Sequence, residues 1–227
     1  ENYQVIQTED GLVSWCEEIF KQKFFAIDTE TTSLDTLSAE LVGVSICIGS
    51  GKACYVPIAH HTDQPEYKEL EKNQLDRDLV LKRLRPLLAD RSILKIAHNI
   101  KYDIKVLNKY ECQVNSFDDT MLMSHCINGG RQRHNLDSVV KSLLDHDTIK
   151  LKDLIGSGKK ELNFKNVPIS LAANYAAEDA DMTFRVWKIL KKELVKQSVY
   201  SVYQNIDKPM VPVLVDAELK GVEVDKL

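Results

Sequence analysis

Asp28 and Glu30 stand two positions apart in AIDTETTSLD, directly after the apolar run FFAI. On a strand, side chains at i and i+2 share a face, so this spacing aims both carboxylates at one point. Two like charges about 4 Å apart repel by roughly 4 kcal/mol at an effective dielectric near 20, which asks for something positive between them. Two further acids have neighbours at helical spacing. Asp103 lies four residues after Asn99 in HNIKYDIKVL, and Tyr175 and Asp179 are four apart in NYAAEDADMTF, so each pair falls on one helical face. Taken singly, these patterns are met equally well by a solvated strand end or by a helix rim over a core contact.

The elements that must position these side chains are legible in the periodicity. Residues 9–22, EDGLVSWCEEIFKQ, predict an opening helix, and FFAIDTE predicts a strand buried on both faces. ELVGVSICIGSGKACYVPIA (40–59) predicts two strands about the turn Gly49-Ser50-Gly51, followed by a polar loop, HHTDQPEYKELEKN. LDRDLVLKRLRPLLAD (75–90) predicts an amphipathic helix despite Pro86. SILKIAH predicts a strand, and NIKYDIKVLNKY a helix with Asn99 as its N-cap. From Asp118 to Val202 the pattern is nearly all helical: DTMLMSHCI, NLDSVVKSLL and ISLAANYAAEDADMTFRVWKILKKELVKQ. The expected class is α/β, a mixed sheet flanked by α-helices with a helical second half.

Composition narrows the chemistry. The 227 residues are 44% hydrophobic and 28% charged, which suits a globular chain with a sizeable core. No apolar run reaches 18 residues, and ENYQVIQTEDG does not read as a signal peptide. The five cysteines (Cys16, Cys47, Cys54, Cys112, Cys126) include no C-x-x-C pair and suit reduced, packed side chains in a cytosol. A net charge of −4 argues against a strong stand-alone nucleic-acid binder. GSGKKE (156–161) lacks the flanking residues of a phosphate loop and reads as a turn. His60-His61 has no third ligand nearby in sequence.

The three acidic motifs in this order, D-x-E, N-x-x-Y-D and Y-x-x-x-D, resemble those of the DEDD exonuclease superfamily, tyrosine subclass. DTETTSLD, HNIKYDIKVL, FDDTMLMSHCI, RHNLDSVV and NYAAEDADMTF are similar to the proofreading exonuclease domains of bacterial DNA polymerase I. KPMVPVLVDAELKGVEVD (208–225), with Pro209, Glu218, Gly221 and Asp225, resembles the entry into a polymerase domain. The resemblance implies an RNase H-like fold, an exonuclease domain over residues 1–204, and a helical start of a truncated polymerase domain over 205–227.

It further implies a metal-dependent 3′-5′ exonuclease acting on the 3′ end of single-stranded or frayed DNA in the bacterial cytosol or nucleoid. Two divalent cations, Mg²⁺ or Mn²⁺, would be held by Asp28, Glu30, Asp103 and Asp179, with Tyr175 orienting water. By family position, Thr31 and Leu34 contact the terminal nucleotide. His98, Asn99, Lys101, Tyr102, Arg133 and His134 are candidates for the frayed strand, although His98 and Leu151 replace the family's usual glutamine and aromatic. With a polymerase domain supplying much of the grip, the expected binding by this chain alone, as a monomer, is weak and strongly salt-dependent. An RNase D-like exoribonuclease shares the three motifs, and an inactive structural platform is the reading from a different class.

Overall fold

The computed structural model describes residues 3–61, 71–158 and 161–224. Most of the polar segment 60–73, Lys159 and Lys160 of GSGKKE, and Asp225 lie outside the described residues. Helix α1 (Glu9–Gln22) buries Leu12, Trp15 and Ile19 on one face, as the apolar spacing predicts. Thr8 caps its first turn, and Lys23, in the left-handed conformation at φ 67°, ends it and turns the chain into β2 (Phe24–Thr31).

Strands β3 (Leu41–Gly49) and β4 (Lys52–Pro57) follow as an antiparallel hairpin, and β5 (Leu94–Ala97) returns parallel to β2 after α2 (Arg77–Ala89). The six-stranded sheet has the order β1-β4-β3-β2-β5-β6, with β2 in the interior. Two of its strands were not expected. β1 (Gln4–Val5) pairs in parallel with β4, and β6 (Phe117–Asp119) in parallel with β5. Runs of two and three residues are too short to display a period, so only their pairing partners define them. Helix α4 accordingly begins at Thr120 and runs to Asn128, rather than starting at Asp118.

Alternation along β2 decides which side each functional residue meets. Phe25 and Ile27 join the core beneath α1 and α2, whereas Ala26 packs with Ala177, Ala180 and Phe184 of α7 (Ile169–Lys196). Asp28 and Glu30, in step with Ala26, therefore face α7, and Thr29 faces the other way, towards α3 (Ile100–Asn108). Leu136 of α5 (Leu136–Leu144) and Leu151 and Ile155 of α6 (Leu151–Ile155) line the same cavity as these acids. After α7, α8 (Tyr200–Val202), a π-helical turn (Tyr203–Asp207) and α9 (Lys208–Lys220) fold back along the body. Val211 and Val215 of α9 lie in the same core as α1 and α2.

Candidate active site

The site begins where β2 stops pairing. A bulge interrupts the β2–β3 register between Glu30 and Thr31, so the chain leaves the sheet immediately after the two acids. Opposite Glu30 stands Gly43, over which the Tyr55 hydroxyl sits: a Cβ there would lie 2.0 Å from it. Tyr55 in turn donates to His60 Nε2 (2.7 Å), because His60 Nδ1 donates to the Val167 carbonyl (2.9 Å) and leaves Nε2 as the acceptor. This fully buried relay is the floor beneath the acids, and burial pushes the His60 pKa down to about 4.

Asp179 reaches the same point from α7. Ala172, Ala173, Ala176, Ala177 and Ala180 are all buried, and their small side chains let the helix lie close on the sheet. The result is a cluster in which one oxygen each of Asp28, Glu30 and Asp179 lie within 4.8 Å of one another. Glu30 Oε1 is buried with no hydrogen-bond partner. Among the described residues, no lysine or arginine pairs with any of the three.

Burial raises all these pKa values. Asp28 is pushed up to about 7 by desolvation, partly relieved by the Thr29 backbone. Glu30 is held well above the ordinary carboxylate range by desolvation and by Asp28, Asp179 and Asp103, and Asp179 by desolvation and Asp28. Three acids sharing an uncompensated pocket are a strained electrostatic arrangement that a cation relieves, and their hard oxygens fit a divalent ion.

Asp103 comes from the other face. Its Oδ1 accepts from the Thr29 backbone N–H (3.1 Å) and the Thr29 hydroxyl (2.6 Å), and it is only 2% exposed. It lines the same cavity, of about 770 Å³, as the other three acids but stands outside their tight cluster. The N-cap prediction for Asn99 needs correction. Asn99 occupies the cap position at φ 65°, but its side chain makes no capping bond. Asp119 caps α3 instead, accepting from the backbone N–H groups of Asn99 (3.1 Å) and Ile100 (3.0 Å), and its Oδ1 also takes those of Met121 and Leu122 in α4.

Tyr175, one turn before Asp179, lines the cavity with its ring tilted against Phe164. Burial and the Asp179 charge raise its pKa, so the phenol is protonated at neutral pH. Thr31, Leu34, His98, Asn99 and Tyr102 also line the cavity, with Leu34 90% exposed at its rim. The hydroxyls of Thr31 and Tyr102 both converge on the Ser33 carbonyl and shape the loop after β2. His98 Nδ1 bonds Thr120, its Nε2 has no partner, and burial pushes its pKa down to about 4.

The other three strand candidates stand off the cavity. Lys101 is paired with Glu218 of α9. Arg133 is exposed. His134 braces its own loop, donating from Nε2 to Gly129 O and accepting from Ser124 at Nδ1. Conversely, sequence reasoning missed Asn163, whose amide donates to the Thr32 carbonyl (2.8 Å) and ties the far wall to the loop after β2. A contact spanning 131 residues leaves no local signal.

A family model described as 3′-5′ exonuclease matches residues 3–195. The chain is 39% identical over 235 residues to DNA polymerase I of Rhizobium leguminosarum and 39% identical over 229 residues to that of Pseudomonas aeruginosa. Each match takes in 99% of this chain but only 23% and 24% of the relative, so the chain spans about a quarter of the length of these curated relatives. Escherichia coli RNase D, described as an exoribonuclease involved in structured RNA processing, superposes with a TM-score of 0.70 at 18% identity, covering 96% of this chain and 51% of that one. Brucella melitensis NrnC gives 0.67 at 24% identity, covering 88% of this chain and 86% of that one.

Proposed function

The chain belongs to the 3′-5′ exonuclease family, and on that footing we propose that it removes nucleoside 5′-monophosphates from single-stranded or frayed DNA ends using two divalent cations, Mg²⁺ or Mn²⁺. Its fold is RNase H-like. The observation that carries the proposal is the knot of Asp28, Glu30 and Asp179, three converging carboxylates with an unpartnered buried oxygen and no protein cation among the described residues. Bound there, a cation pair supplies activation of water and neutralisation of the departing 3′ oxygen.

The chain's own residues divide the remaining work. Asp28, Glu30 and Asp179 would hold one ion, and Asp28 and Asp103 would serve the second. Thr29 fixes Asp103 Oδ1, leaving Oδ2 for that task. Tyr175, protonated at neutral pH, acts as a hydrogen-bonding orienter of water and not as a base. Thr31 and Leu34 meet the terminal nucleotide, the exposed leucine wedging against any base without reading it. His98, Asn99 and Tyr102 line the path of the strand, and Lys101, Arg133 and His134 meet it farther out.

The proposed setting follows the relatives: residues 1–204 as the editing domain of a bacterial, cytosolic polymerase, with 205–227 leading into a polymerase domain. The measurement that tests the reaction is degradation of 5′-labelled single-stranded DNA beside an RNA of the same sequence, with Mn²⁺ or Mg²⁺. Laddering of the DNA from its 3′ end supports the reading. Preferential loss of the RNA would move the assignment to an RNase D-like exoribonuclease, and no product from either would leave a structural platform.

A further inference from the structure

We infer that Glu218 of α9 masks a phosphate subsite at the mouth of the active site, formed by Lys101 and Lys105, and that an incoming single strand displaces it. This rests on the nuclease reading above. A side cavity of about 240 Å³ adjoins the main one and shares Leu34, Asn99 and Tyr102 with it. Its remaining wall holds both lysines and Glu218. One carboxylate serves both cations: Glu218 Oε1 pairs with Lys101, and Oε2 with Lys105 Nζ at 2.7 Å. The other acid in the cavity, Asp35, is engaged by the Leu37 N–H (3.1 Å) and the Ser38 hydroxyl (2.9 Å). Two positive and two negative charges thus balance at rest.

The balance is easily tipped. Ion pairs this exposed hold only weakly, because water screens them and two long side chains must be held still. Glu218 is 36% exposed and Lys101 33%, so a phosphodiester can compete for the same ammonium groups. Lys105 is 14% exposed, its stem packed against the body and its head fixed toward the cavity wall, which limits the entropy lost on changing partners. The spacing on α3 explains the pairing: Lys101 and Lys105 are one helical turn apart, on the side of the helix turned away from Asp103, with Asn99 and Tyr102 shared by the two cavities. A strand whose terminus lies among the acids reaches these lysines with its next phosphates by leaving the main cavity past Leu34 and Tyr102, residues the two cavities share. Glu218, anchored through Val211 and Val215 to the core, opposes that grip from a helix otherwise remote from the chemistry.

The test is fluorescence anisotropy with a 5′-labelled oligothymidylate bearing phosphorothioate linkages, which resists turnover, in Mn²⁺ over a range of salt. Glu218→Gln is expected to tighten binding at least threefold. Asp216→Asn, which removes a charge from the same helix with no contact to either lysine, is expected to leave it unchanged. The gain from Glu218→Gln should vanish when Lys101 and Lys105 are both glutamine. That lysine pair variant alone should bind about fivefold more weakly, with a log–log salt slope shallower by about 1.4, near 0.7 for each of the two lost phosphate contacts. Equal affinities of wild type and Glu218→Gln, or an equal gain from Asp216→Asn, overturn the inference while leaving the nuclease reading intact. If Glu218→Gln does not fold, an unchanged slope in the lysine variant overturns it. Wild type that neither binds this strand nor degrades its phosphodiester counterpart overturns both.

Discussion

Asp28 and Asp179 each supply an oxygen to the three-acid knot. Asp28→Ala or Asp179→Ala is expected to lower exonuclease turnover by at least a thousandfold. Tyr175→Phe, which keeps the ring against Phe164 and loses one hydrogen bond, should cost about tenfold. End-labelled DNA in Mn²⁺ checks all three, and an Asp179→Ala protein with most of its activity would remove the assignment. His60 gives a separate test of the floor. Its native pKa of about 4 lies below the ordinary value of 6.5, so between these values the unfolded chain binds the extra proton. Stability from this residue is fully present above pH 6.5 and is lost as the pH falls toward 4. At pH 5 the loss is about 2 kcal/mol. Thermal unfolding between pH 8 and 5 should therefore fall more steeply in wild type than in His60→Gln, and parallel curves would contradict it.

At the scale of elements, one carboxylate organises two helices. Asp119, 1% exposed, accepts from four backbone N–H groups at the starts of α3 and α4. Losing both caps in Asp119→Ala should cost about 3 kcal/mol in chemical denaturation, the sum of two N-caps and the N–H groups left unsatisfied. Because α3 carries Asp103, activity should fall beyond what the remaining folded fraction explains. Helices α1, α2, α5 and α7 could be read from sequence because each has a long apolar stripe, and α1 matches its prediction of 9–22 residue for residue. The cap of α3 could not, because its acceptor lies twenty residues downstream, in a strand too short to announce itself.

For the whole molecule, the acids store repulsion that a bound cation releases. Mn²⁺ at 100 times its dissociation constant should stabilise the protein by about 2.7 kcal/mol, read as a rise in melting temperature. Glu30→Gln should abolish that rise and, by removing one buried charge, raise the melting temperature of the metal-free protein; a normal metal shift in Glu30→Gln would count against the site. The terminal helix belongs to the same packing. Val211 and Val215 are 4% and 8% exposed, and Lys208 and Tyr203 both bond Asp118 of β6. Deleting residues 208–227 should therefore destabilise the body by about 3 kcal/mol or more, from two buried valines alone.

The sequence by itself determined the local elements and the identity of the acids. Periods of two and 3.6 residues are properties of neighbouring positions, and D-x-E and Y-x-x-x-D each aim two groups one way within a single strand or helix. The tertiary structure alone decided that Asp28 and Glu30 face α7, that Asp103 arrives from the opposite face through Thr29, and that Lys101 is held by Glu218. Each of these is a contact between residues 74 to 151 positions apart or a choice of sheet face, and both are set by how packed layers close over the core. No local pattern encodes them, because the burial free energy that selects them exists only once the layers have met.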